Sequence, residues 1–342
     1  MVLQLIKQKW FYLAILAIAL AVPLLVPNRY FFQIIIISCI FAIATLSMNL
    51  ILGYTGQASL AHAGFFGIGA YGVGLMTKAG VSFWLALPAS ALLAALVGFL
   101  IGIPTLRTRG SYFAIATLCF GVIVSIIAGN WVSLTGGHTG VVGIPRPSPI
   151  PLPLAGEITF QTQTAQYYLV LAFLLLTLFV MHRLVYSLQG LSFMAVRNNE
   201  VLADAVGINT FATKMLSFVV ANFFAALAGG IYASIIGSIS PSTASYTLTF
   251  NWLVYLLLGG AATLSGPIAG AFAIPILMEY MQFLEEYRQL IFGALLIVVI
   301  IYFPRGLMGG LASLRVKAVN YSHRRKAGVP SAAESGKPDQ AF

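Results

Sequence analysis

The sequence predicts an all-α, polytopic integral membrane protein of about ten transmembrane helices, with a helix break near residues 53–60. Three observations carry this expectation. Of the 342 residues, 60% are hydrophobic and only 8% charged, where a soluble domain carries about a quarter charged. Apolar runs of about 20 residues, the length that crosses a bilayer, recur from end to end. The basic residues, finally, segregate to one side of the helices those runs define.

The runs place spans at 10–26, 31–52, 60–76, 84–103, 112–128, 167–186, 215–237, 248–258, 266–284 and 290–303. The 248–258 run is short for a crossing and is expected to tilt or extend. An even count leaves both termini on the same side. With that side cytoplasmic, fourteen of the 18 Lys and Arg residues lie inside and only Arg29, Lys78, Arg146 and Arg288 lie outside, the asymmetry of the positive-inside rule. Lys7 and Lys9 ahead of an apolar stretch with Ala19-Leu20-Ala21 suggest a signal peptide. The run continues to Val26, which favours a retained helix. The spans group residues 1–310 into one membrane domain, with an outer loop at 129–166 and an inner loop at 187–214 long enough to fold. In the outer loop Pro145, Pro147, Pro149, Pro151 and Pro153 alternate, which holds the backbone extended. Residues 311–342 read as a basic, disordered cytoplasmic tail.

The interior lacks the usual chemistry. Ion-coupled transporters keep ionisable relays within the membrane. Here Glu279 and His182 fall near helix ends, and His62 alone lies deep, where a hydrogen-bonded structural role is favoured over a relay. The four histidines, His62, His138, His182 and His323, are scattered without ligand spacing, so no metal site is expected. No Ser-His-acid set, HExxH motif or paired intramembrane carboxylates point to catalysis. Cys39 and Cys119 both fall in apolar runs and read as reduced, buried thiols. The net charge of +10 follows from basic inner loops and implies no nucleic-acid partner. Small residues instead recur at every fourth position: Ala221, Ala225, Gly229, Ala233 and Gly237; Ala94, Gly98 and Gly102; Gly266 and Gly270. Such stripes let helix backbones approach closely in lipid.

One segment departs from all of this. In NLILGYTGQASLAHAGFFGIGAYG, residues 49–72, the glycines keep no single face and Tyr54-Thr55-Gly56-Gln57 interrupts the apolar run. Irregular backbone at membrane depth survives only when protein or a water-filled cavity surrounds it. The segment therefore reads as a break between two helices. Gly53, Gly56, Gln57, Ser59, His62, Gly64 and Gly67 are the candidate residues of a solute path, with close packing around a kink as the competing account of each.

GYTGQASLAHAGFFGIGAY resembles the signature of the membrane subunits of branched-chain amino-acid ATP-binding-cassette importers, the LivH/LivM permease family. RTRGSYFAIATL at 107–118, TGGHTGVVGIP at 135–145, MAVRNNEVLADAVGIN at 194–209, GGAATLSGPIAGA at 259–271 and FPRGL at 303–307 extend the likeness over most of the chain. The arginine-led second motif and the long outer loop are closer to the LivM branch. The resemblance implies a second, LivH-like permease subunit, two cytoplasmic ATP-binding subunits that hydrolyse ATP, and an extracytoplasmic solute-binding protein, all at the bacterial cytoplasmic (inner) membrane. The chain itself has no G-x-x-x-x-G-K-[ST] phosphate loop, so it is expected to be no enzyme, to hold no cofactor and to be driven by others.

The inner loop suits docking. Asn198 or Asn199 can cap a short helix with Glu200 in its first turn, and Gly207 supplies a left-handed stop. By resemblance this is the coupling helix, with Arg197, Glu200, Ala203, Asp204 and Gly207 as its residues. Glu200 stands seven residues before Gly207, where the family form has six. An uncharged passage suits a small neutral amino acid, branched-chain first, with urea, short amides or another amino acid as runners-up. A secondary transporter, which also uses broken helices, is the alternative mechanism, and the shortage of membrane carboxylates argues against it.

Overall fold

The computed structural model describes residues 19–24, 26, 28–108, 110–152, 156–281 and 293. The expected span at 290–303, bar Gly293, the 311–342 tail and most of the 10–26 span lie outside the described residues; 19–24 is helical. With the 187–214 segment set at the bottom, α1 (Arg29–Asn49) descends and ends in a π-helical turn, Leu50–Tyr54. After a non-helical stretch, α2 (His62–Lys78) ascends, α3 (Phe83–Thr105) descends and α4 (Ser111–Asn130) ascends. The upper loop follows, and α5 (Gln163–Val185) returns to the bottom. There α6 (Leu188–Asn198) and α7 (Glu200–Ala205) form the lower loop. The long α8 (Thr210–Ile236) ascends; α9 (Tyr246–Gly259) and α10 (Ser265–Tyr280) complete the described bundle.

Among the described residues five helices are long and apolar enough to cross a membrane: 29–54, 83–105, 111–130, 163–185 and 210–236. The three other expected spans there form helices of 17, 14 and 16 residues. They are shorter because each abuts a backbone break, at 55–61 or 260–264, or the 3₁₀ turn Pro241–Ala244 that precedes α9.

The small-residue stripes are the joints of the bundle. α8 packs chiefly on α2 and α3. Gly229 lies against the Phe66 carbonyl of α2, and reciprocally Gly69 of α2 lies against the Ala226 carbonyl. On α3, Gly98 meets Asn222 and Gly102 meets Met215, while Gly266 and Gly270 of α10 meet the backbone of α9. A Cβ at these positions would push the helices apart, and in lipid close packing is what holds them together. Cys39 is buried, but Cys119 is exposed on α4. An apolar run therefore does not distinguish a helix's protein-facing side from its outer side.

Two small ladders organise the upper end. β1 (Val141–Val142) pairs antiparallel with β4 (Ser238–Ile239), and β2 (Ile150–Leu152) with β3 (Gly156–Ile158). Within the proline-rich stretch Ile150–Leu152 is extended strand, with Pro151 in β2; Pro153 lies outside the described residues.

Candidate functional site

The break runs from Thr55 to Ala61 and lies at the lower end of α1 and α2, beside the α6–α7 loop. The π turn starts it: the Thr55 N–H donates to the Leu50 carbonyl at 3.2 Å, and Gln57 N–H to the Ile51 carbonyl at 2.9 Å. Such turns mark places where a helix is locally unwound for another purpose. Neighbouring helices take up the freed backbone groups. Thr117 Oγ1 of α4 accepts from Leu60 N–H at 3.0 Å, and Thr249 Oγ1 of α9 accepts from Ala63 N–H at 2.9 Å. The upper part of the break, Ser59 to Ala61, is thereby packed within protein, while Gly56 and Ala58 are exposed at its lower side; irregular backbone in a membrane protein needs protein or a water-filled cavity around it.

Gly56 holds φ +77°, a conformation only glycine adopts at little cost. It also has no room for a side chain, since a Cβ there would stand 2.8 Å from Arg197 Cγ. The Arg197 stem thus rests directly on the break. Around that contact lies a cavity of about 620 Å³ lined by Gly56, Gln57, Ser111, Arg197, Glu200 and Lys214, among others. Gln57 Oε1 is buried there without a hydrogen-bond partner.

The lower loop is built as its residues suggest. Asn199 Oδ1 accepts from Leu202 N–H at 3.0 Å and caps α7; Glu200 sits in the first turn, and Gly207 at φ +88° ends it in open space. Phe193, Val196 and Ala203 are buried and anchor the loop to the bundle. Glu200 turns inward: its Oε1 meets the nearly buried Lys214 Nζ at 2.7 Å, and Nζ also reaches the Leu106 carbonyl at 3.4 Å. This pair ties α7 to the foot of α8 and the end of α3. The exposed surface of α6 and α7 includes an apolar set beside Gln189, Arg197, Asn198 and Asp204: Leu188, Leu191, Val201, Leu202 and, just after α7, Val206 are 60–81% exposed. A cluster of this kind beyond the ends of the spans marks a protein- or membrane-contact surface.

The remaining candidates lie just above. His62 is fully buried, with Nε2 2.8 Å from Ser47 Oγ. Ser47 Oγ also lies 2.8 Å from the Ala44 carbonyl, to which it can donate. Ser59 is buried beside it in the chain. Gly53 packs on Asn49 and Ala262, Gly64 on Gly121, and Gly67 on Ala244, where a Cβ would meet the Ala244 Cβ at 2.5 Å. The structure therefore joins Gly56 and Gln57 to Arg197 and Glu200, places Gly53, His62, Gly64 and Gly67 in helix packing, buries Ser59 within the break, and leaves Asp204 and Gly207 on the exposed side of α7.

Sequence reasoning missed a second turn that leans on the first. Asn49, 1% exposed, donates from Nδ2 to the Thr263 carbonyl at 2.7 Å and accepts from Ala262 N–H at 2.9 Å. Ala262 is held at φ +58°, the one non-glycine in this region among the described residues. The signal was present, an amide in the middle of an apolar run, but its partners are remote in sequence. Lys214 was counted only as a loop charge.

A multi-pass helical membrane protein with close-packed small-residue seams, a helix break and a folded loop seated on that break is the class these features define. Residues 30–300 match the family described as branched-chain amino acid transport system / permease component, and the chain belongs to that family. It is 33% identical over 321 residues to the high-affinity branched-chain amino acid transport system permease protein LivM of Escherichia coli K12, covering 89% of this chain and 75% of the relative. The corresponding LivH protein of the same organism is 25% identical over 293 residues, 79% of this chain and 91% of LivH. A probable branched-chain amino acid transport permease protein LivM of Methanocaldococcus jannaschii is 23% identical over 236 residues, 64% of this chain and 66% of the relative. No solved structure matches the chain.

Proposed function

We propose that this chain is the LivM-type permease subunit of an ATP-binding-cassette importer for branched-chain amino acids in the bacterial cytoplasmic (inner) membrane. Its partners are a LivH-like second permease subunit, two cytoplasmic ATP-binding subunits and an extracytoplasmic solute-binding protein. Both termini and the 187–214 loop face the cytoplasm. The chemistry of ATP belongs to the ATP-binding subunits, and this chain needs no cofactor.

The observation that carries the mechanism is the seat of Arg197 on Gly56. The exposed apolar side of α6 and α7 is the docking surface for an ATP-binding subunit, and Asp204 and Gly207 lie on it. Movement of that surface passes through the Arg197 stem to the break, because a close-packed contact with no slack transmits displacement. Glu200 and Lys214 keep the loop on the bundle rather than touch the ATPase. Gly56 and Gln57 line the lower mouth of the path; Gly53, Ser59, His62, Gly64 and Gly67 shape the walls above it.

Substrate class follows from charge. A solute of net charge would lose several kcal/mol on desolvation in a passage without a counter-charge, whereas a zwitterion with an apolar side chain fits hydroxyl and amide groups set among apolar walls. Uptake competition in cells carrying the whole transport system tests this. Leucine, isoleucine and valine should compete, and glutamate and lysine should not. Competition by a singly charged amino acid alone would overturn the assignment.

A further inference from the structure

A second cavity, about 370 Å³, lies in the upper half of the bundle. Its size falls in the range of small-molecule sites, about 300–1,000 Å³. Two segments make it. The stretch TGGHTGVVGIP turns through Gly136, Gly137 and Gly140, all at positive φ, and its β1 pairs with β4, which sets Thr139 beside Ser240. The chain then leaves helical geometry between α8 and α9 and descends along α2 and α4. Ala244 rests on Gly67, and Ser125 Oγ donates to the Pro241 carbonyl at 3.3 Å. Gly67 lies about 16 Å along the axis from the upper end of α2, at about 1.5 Å per residue. Non-helical backbone at such depth persists where protein encloses it or where it lines a wet cavity; this segment packs on α2 and α4 and lines the cavity.

The lining mixes two chemistries. It holds the hydroxyls of Thr139, Ser238, Ser240, Ser242 and Thr243, with Ser240 Oγ and Ser242 Oγ 2.7 Å apart and Thr139 Oγ1 donating to the Gly136 carbonyl at 2.7 Å. It also holds aliphatic side chains and the rings of Phe41 and Tyr232, nearly parallel with centroids 6.5 Å apart. Phe66 and Trp252 pack against those rings from α2 and α9. Among the described residues, no acidic or basic side chain lines the cavity. Hydroxyls both donate and accept, so one set serves an ammonium and a carboxylate together. A net charge would find no counter-charge among the lining residues.

We propose that this upper cavity is a solute site of the permease, taking an α-amino acid with an uncharged, apolar side chain. The hydroxyls hold the ammonium and carboxylate, and the side chain lies on Phe41 and Tyr232. This rests on the reading of the chain as an amino-acid permease subunit and adds to it a binding site in the upper half.

The test uses the complete complex with its binding protein in proteoliposomes and radiolabelled leucine. Replacing Ser240→Ala with Ser242→Ala, or Thr243→Val, should lower leucine uptake about tenfold, the scale of hydrogen bonds to a charged group, with the ATP-binding subunits still bound. In a second arm, Ser242→Cys is placed in a chain whose exposed Cys119 is replaced by Ala and labelled with a membrane-impermeant maleimide. Excess leucine should slow labelling several-fold and glutamate should not; where a hydroxyl variant fails to assemble, this arm decides. Wild-type leucine uptake with normal transport by the variants and leucine-insensitive labelling would overturn the site and leave the permease reading intact. A wild-type complex that takes up no branched-chain amino acid would overturn both.

Discussion

Gly56 and Arg197 are far apart in the chain, and neither is informative alone: one is a glycine among many, the other a loop cation. Their contact turns both into parts of one device. Gly56→Ala combines a left-handed backbone with a Cβ pressed on Arg197, and should cost about 1–2 kcal/mol and slow transport while the subunit still reaches the membrane. Wild-type uptake by that variant would dissociate the break from function. Glu200 offers a separate check. Removing it leaves Lys214 charged and enclosed, a loss toward the lower end of about 3–5 kcal/mol because Glu200 is partly exposed. Glu200→Leu alone should therefore lower the melting temperature of the purified subunit, and Glu200→Leu with Lys214→Met should recover most of it. A double variant no more stable than the single would show that the pair is not what holds α7. Ala262→Gly should be stabilising, about 1 kcal/mol, since it relieves a strained φ; a lower melting temperature would contradict the strain.

Helices, stripes and the principal break were legible because each is a local pattern. Apolar length gives a span, spacing by four gives a seam, and a polar interruption in an apolar run gives the break. The turn at 260–264 and the upper segment at 238–245 were not legible. Their geometry depends on Asn49, Gly67 and β1, partners remote in sequence that leave no periodic trace. For the same reason the seven candidate path residues were recognised as a group but not sorted: burial of His62 and Gly64, and exposure of Gly56, are decided by α4, α6 and α9. At this scale Gly67→Leu should prevent the upper segment from seating on α2 and reduce assembly or uptake severely, whereas Leu176→Ile on the exposed face of α5 should change little. Normal assembly and uptake in Gly67→Leu would refute the close-approach account.

Across the whole molecule the bundle has two ends with different work: an upper half with a hydroxyl-lined cavity under the β1–β4 ladder, and a lower end where the folded loop grips the break. Cysteines at Thr139 should label from outside intact cells and at Asn199 only after permeabilisation; the reverse would invert the assignment of ends. Leu202→Asp, which puts a charge on the exposed face of α7, should release the ATP-binding subunits on purification, whereas Arg197→Ala should retain them. The most direct test of the central claim, that Arg197 transmits movement of the docking loop to the break, is the number of ATP molecules hydrolysed per leucine imported by the Arg197→Ala complex in proteoliposomes. With the ATP-binding subunits bound, that ratio should rise about tenfold over wild type, a coupling loss of about 1.4 kcal/mol. An unchanged ratio at wild-type uptake would contradict the account.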